Sequence, residues 1–174
     1  MRAQFALVPL ATLAIVMPAH AIVYLSVEQA QSNMFPGATF TPEFRSLSKE
    51  QASSIEKASG IAVRNRDLKV WRVSTGGWFI ADQVVGKHEY IPIALGLDAN
   101  GAVKAVEILE YREAYGDQVR NPAWRGQFAG KKHGAALTVT KDIQNISGAT
   151  LSSRHITDGI KRLLATYAIA IAQD

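Results

Sequence analysis

Residues 90–111 read YIPIALGLDANGAVKAVEILEY, and the architecture of the chain is decided there. Ile91, Ile93, Leu95 and Leu97 recur at every second position, the period of a strand with one buried face. Asn100-Gly101 follows. Both residues tolerate positive φ, so a tight type I′ turn is expected to join this strand antiparallel to AVKAVEILEY. Upstream, LKVWRVST (68–75) and WFIADQVV (78–85) have strand composition and are parted by Gly76-Gly77. Together these segments predict an antiparallel sheet.

Helical signals lie on both sides of the strands. Ser48 precedes KEQASSIEKAS, Gln51 completes a capping box and Gly60 is placed to end the helix, which predicts Lys49 to Ser59. A shorter helix is expected around Val27 to Met34, ahead of a Pro36-Gly37 break. Asn121-Pro122 should open another, running past Trp124 and Phe128 towards Gly130. Ala135 to Thr140 reads as one more strand. From Leu151 onward, Ile156, Ile160, Leu163, Leu164, Tyr167 and Ile171 share one face of a final amphipathic helix. The expected fold class is α+β: a twisted antiparallel sheet, curved like a half-barrel and flanked by helices.

Composition narrows the function classes. The chain has 174 residues, 48% of them hydrophobic, a formal net charge of +4 and no cysteine. Without cysteine there are no disulfides, thiolate metal sites, iron–sulfur clusters or cysteine nucleophiles, so redox chemistry requires a borrowed cofactor. No block of like charges points to nucleic acid, and the histidines lack metal-ligand spacing. Residues 1–21 read as an export signal, with Arg2 ahead of an apolar run from Phe5 to Met17 and Ala19-His20-Ala21 at its end. Cleavage after Ala21 would leave a single domain, residues 22–174, in the periplasm.

The segment with chemical content is Ile146-Ser147-Gly148-Ala149-Thr150-Leu151-Ser152-Ser153, immediately ahead of the last helix. A helix N-terminus presents unpaired N–H groups and partial positive charge, which suit a phosphate. Gly148 allows close backbone approach and Ala149 leaves room for a bulky ligand. These residues by themselves indicate an anion, and N-capping by a hydroxyl explains them equally well.

SGATLSS followed by an amphipathic helix resembles the signature of the FMN-binding domain family, which includes the covalent-flavin subunits of sodium-pumping NADH:quinone reductase and of the Rnf complex. The likeness extends over about residues 84 to 165. It implies FMN joined through its phosphate to Thr150 by a flavin transferase that uses FAD and magnesium, with Ser147, Gly148, Ala149 and Leu151 around the acceptor. YREAYG is similar to the family's HxETPG loop: Glu113 and Gly116 match, whereas Tyr111, Ala114 and Tyr115 replace its His, Thr and Pro. Lys131 matches the lysine closing the family's QFxGK element and is a candidate for the phosphate or a ring carbonyl. Tyr115 and Trp124 are candidates for stacking on the ring, and Arg120 and Arg125 for complementing charge.

One departure from the family pattern bears on the acceptor itself. Asp usually stands six residues before the acceptor, where this chain has Gln144, with Asp142 two residues further back. Either Asp142 substitutes, or modification is less efficient, or the same pocket holds FMN noncovalently. The implied function is a periplasmic electron carrier that receives electrons from a membrane-bound or soluble redox partner, a PepSY-type transmembrane reductase among them. Its rivals are a self-sufficient FMN-dependent reductase and a cofactor-free exported module.

Overall fold

The computed structural model describes residues 22–172. The export signal read at residues 1–21 lies outside them. The elements in chain order are β1 (Ile22–Val23), α1 (Val27–Met34), β2 (Phe40–Pro42), β3 (Arg45–Ser46), α2 (Lys49–Ser59), β4 (Asp67–Val73), β5 (Trp78–Val85), β6 (Tyr90–Leu97), β7 (Val103–Ile108), β8 (Glu110–Tyr111), α3 (Pro122–Gly126) and α4 (Thr150–Thr166). A 3-10 turn at Asp117–Arg120 precedes α3, and a π-helical turn at Tyr167–Ile171 extends α4. The main sheet is antiparallel and open, ordered β2-β4-β5-β6-β7, with β3 also paired to β4. This is the expected α+β architecture.

Alternation divides the sheet into two faces. Ile80, Leu95 and Val106 stand opposite one another across β5, β6 and β7 and bury against Ile156, Ile160, Leu163 and Leu164 of α4 and Ile55 of α2. Phe79 and Ala94 point to the other face, where Ala30 and Met34 of α1 and Phe35 at its end cover them. Two glycines set these distances. A Cβ on Gly96 would touch the Phe35 ring at 3.0 Å and the Met34 sulfur at 3.1 Å, and one on Gly159 would collide with Val84, so each allows a helix to lie close on the sheet.

Short-range signals place α2 at Lys49–Ser59, as its sequence predicts. Ser48 and Gln51 form the capping box, and Gly60 closes the helix at φ +74°. Four expectations need correction. The turn at Asn100-Gly101 is not type I′: only Gly101 has positive φ, and the loop is organised by the Asp98 carboxylate, which accepts the N–H groups of Asn100 and Ala102. The strand expected through Glu110 and Tyr111 breaks at Leu109, whose carbonyl accepts the N–H groups of Tyr24 and Leu25, so β8 pairs with β1 instead. The helix after Asn121 stops at Gly126, short of Gly130, and continues as turns.

The strand expected at Ala135 to Thr140 does not form. The Thr138 carbonyl gathers the N–H groups of Lys141, Asp142 and Ile143, and Leu137 and Thr140 adopt positive φ, leaving a single bridge between Val139 and Ile143. Local turn bonds outcompete strand propensity there. Among the described residues no helix is long and apolar enough to cross a membrane.

Candidate functional site

Thr150 is the first residue of α4 and is exposed. The helix differs from α1, α2 and α3, each of which has a side chain accepting a first-turn N–H: Ala149 stands at the cap of α4 and offers none. Ser153 N–H bonds to the Ala149 carbonyl, while the N–H groups of Thr150, Leu151 and Ser152 meet no acceptor among the described residues. Simple N-capping therefore does not account for the hydroxyl-rich segment. Asn145 Nδ2 donates to Thr150 Oγ1 at 3.0 Å, which orients the hydroxyl and leaves its own hydrogen free to be given up. Of the four hydroxyls, Ser147 and Thr150 face outward and Ser152 and Ser153 are buried.

Beside this helix mouth lies a cavity of about 400 Å³, lined by Lys87, His88, Glu113, Ala114, Tyr115 and residues 148–152. Three walls meet in it: the turn between β5 and β6, the loop after β8, and the first turn of α4. Two polar clamps hold them together. Glu113 Oε1 accepts the N–H groups of His88 at 2.7 Å and Glu89 at 3.0 Å, fastening the loop to the hairpin. A Cβ on Gly86 would strike that carboxylate, so glycine is required where the two segments meet. Burial works against the Glu113 charge, but the backbone N–H groups of Glu89, His88 and Lys87 outweigh it and hold the carboxyl below its ordinary range.

The second clamp is Tyr111. Its hydroxyl donates to the Tyr115 carbonyl at 2.7 Å and shares a hydrogen bond of 2.7 Å with Ser152 Oγ, tying the loop to α4. Burial pushes the phenol pKa up, the Ser152 bond opposing. Gly116, at φ +102°, completes the closure, because a Cβ there would fall 2.5 Å from Tyr111 Oη and 2.9 Å from Ser152 Oγ. Tyr115 itself stands 83% exposed at the rim, free to cover a flat ligand.

The structure thus gathers Glu113, Tyr115, Gly148, Ala149, Thr150 and Leu151 around one cavity, with Gly116 packed behind it and Ser147 exposed just before Gly148. Lys131 is not part of its lining. Its carbonyl accepts the Val103 N–H at 2.8 Å, which places it beside the start of β7. Trp124 is not at the cavity either: it is buried edge-on to Phe128 and donates from Nε1 to the Gln144 carbonyl. Arg125 is held by Glu107 at 2.6 Å, and Arg120 lies over the Tyr24 ring. Asp142 accepts the Thr138 N–H and so serves its own turn.

Lys87 and His88 escaped the sequence reading of the site. Their one signal was the polar GKHE turn between two strands, which gives no hint of what it will face.

The arrangement suits FMN. Three unmatched N–H groups at a helix N-terminus offer donors suited to a phosphate, the Thr150 hydroxyl is exposed beside them, and the adjoining space falls in the range of small-ligand sites. Comparison with known proteins agrees. Residues 86–165 match the FMN-binding domain family. A subunit of the Na(+)-translocating ferredoxin:NAD(+) oxidoreductase complex of Acetobacterium woodii is 27% identical over 86 residues, 44% of this chain and 42% of that protein. The chain therefore spans about two fifths of the length of this curated relative. The crystal structure of Shewanella oneidensis NqrC has a similar fold, with a TM-score of 0.51 and 18% identity over 76% of this chain and 68% of the other. The cavity walls, from the turn after β5 to the helix that opens at Thr150, all lie within residues 86–165, the segment that matches the FMN-binding domain family.

Proposed function

We propose that the protein is an exported, periplasmic electron carrier with FMN attached through its phosphate to Thr150 Oγ1. The observation that carries this reading is the exposed Thr150 hydroxyl beside three unmatched N–H groups and a cavity of about 400 Å³. Attachment by a transferase that uses FAD and magnesium forms the Thr150 O–P bond and breaks the phosphoanhydride of FAD. AMP leaves and the hydroxyl proton is lost. Asn145 holds the attacking oxygen in place without consuming its hydrogen.

Bound FMN supplies reversible one- and two-electron chemistry, and the chain needs no acid or base of its own for it. The first turn of α4 receives the phosphate, Glu113 and Tyr111 fasten the walls to one another, and Tyr115 screens the rim. The likeness to a subunit of an oxidoreductase complex supports a role in electron transport; the proposed partner is a membrane-bound or soluble redox protein, a PepSY-type transmembrane reductase among them.

Intact mass is the test. Protein exported from a host that expresses the transferase should gain the mass of FMN less water, and Thr150→Ala should abolish the gain. An unmodified mass beside an active transferase overturns covalent attachment. A second reading, a reductase with its own small substrate, is favoured by a groove of about 310 Å³ between α4 and β5 that contains His155, Asp158 and Arg162. Catalytic turnover of a donor and acceptor without any partner protein would select it.

A further inference from the structure

The charges at the cavity are unevenly available. Lys87, His88 and Glu113 are its Lys, His, Asp and Glu residues among the described lining, and Glu113 turns Oε1 onto the hairpin backbone, where two N–H groups hold it as a carboxylate. Lys87 sits on that same hairpin, exposed, next to the residue whose N–H makes the shorter of the two bonds. On the opposite wall stands the N-terminus of α4, itself partially positive. Lys87 and the helix N-terminus thus bring positive charge to the cavity from two walls, and the Glu113 carboxylate fastens the hairpin backbone that carries Lys87.

We propose that Lys87, positioned by the Glu113 clamp, raises the reduction potential of a flavin held at Thr150. This rests on the flavin reading above. Reduction of FMN by two electrons and one proton leaves one more negative charge on the ring than before, and a cation in the same cavity favours that product. Glu113 acts through Lys87 as a positioning residue. The lysine charge lies with the cofactor, and the carboxylate is spent on the backbone that carries it.

Spectroelectrochemical titration of the FMN-loaded protein at one fixed pH and low salt tests this. Lys87→Gln should weaken the preference for the reduced flavin on the order of tenfold, as expected for one partly screened charge in the lining of the same cavity. For the two-electron couple that is a fall of about 30 mV. Lys87→Glu should fall further, 1 M salt should shrink both changes, and Lys69→Gln, an exposed lysine on β4, should leave the potential in place. In a Glu113→Ala background the Lys87→Gln decrement should shrink, because the hairpin is no longer fastened. A loaded Lys87→Gln protein with the wild-type potential overturns the proposal, and an undiminished decrement in the Glu113→Ala background overturns the positioning role. Wild-type protein without flavin refutes the reading beneath both.

Discussion

Replacing Gly116 by alanine tests the closure behind the cavity. The residue has φ +102°, a region that costs a non-glycine residue roughly 1–3 kcal/mol. The new Cβ would fall 2.5 Å from Tyr111 Oη, 2.9 Å from Ser152 Oγ and 3.2 Å from Ala149 Cβ. Ser152 can rotate away, but Tyr111 can yield only by surrendering its bonds to Ser152 and the Tyr115 carbonyl, which adds about 1–2 kcal/mol for buried partners. The sum is about 2–5 kcal/mol. For a chain of this size that lowers Tm by roughly 5–15 °C. Thermal unfolding followed by circular dichroism measures it, with Gly126→Ala as control: that glycine is helical, has ordinary φ and has nothing within 4 Å of an added Cβ, so its Tm should stay level or rise slightly. Gly116→Ala melting within a degree of wild type would refute the close-packing account of this loop.

Other perturbations follow from the same contacts. Tyr111→Phe should cost about 1–3 kcal/mol in urea titration with an unchanged m-value, since it removes one hydroxyl and orphans the buried Ser152. Ile160→Ala, at a fully buried position facing the sheet, should cost about 2–5 kcal/mol by the same titration. Two carboxylates should show opposite pH signatures. Burial raises the Asp158 pKa, with His155, Lys161 and Arg154 opposing, so folding is disfavoured as pH rises through the folded value; Asp158→Asn should be more stable than wild type at neutral pH and equal to it in acid. Glu113 is depressed in the folded state, so its contribution is present above the ordinary carboxylate range and disappears as pH falls through the folded value. Glu113→Gln should therefore be the less stable protein at pH 7, the gap closing on acidification.

Where signals were local, the sequence was readable. The Ser48 and Gln51 box with Gly60 delimits α2, and the buried period of α4 appears in Ile156, Ile160, Leu163 and Leu164. The pairing of Ile22 with Tyr111 could not be read, because each strand is two residues long and the partners are distant in the chain. Ala135 to Thr140 misled because its apolar content was real while the Thr138 carbonyl captured the backbone. At the site, residues 147–153 stand out by their hydroxyls at a helix start. The facing wall did not: Lys87 and His88 acquire meaning only when Glu113 draws their turn against the loop after β8. Trp124 had the chemistry for stacking but was claimed by Phe128 and the Gln144 carbonyl.

The handover at Leu109 ties the amino end of the described chain to the tyrosine clamp. One carbonyl takes two N–H groups from Tyr24 and Leu25, and Ile22 lies opposite Tyr111 in the short ladder that follows. A chain starting at Ile22 would retain this seam, whereas one starting at Ser26 would lose it and strip β8 of its ladder partner. The cofactor chamber would then loosen from a cut made nearly ninety positions away in the chain.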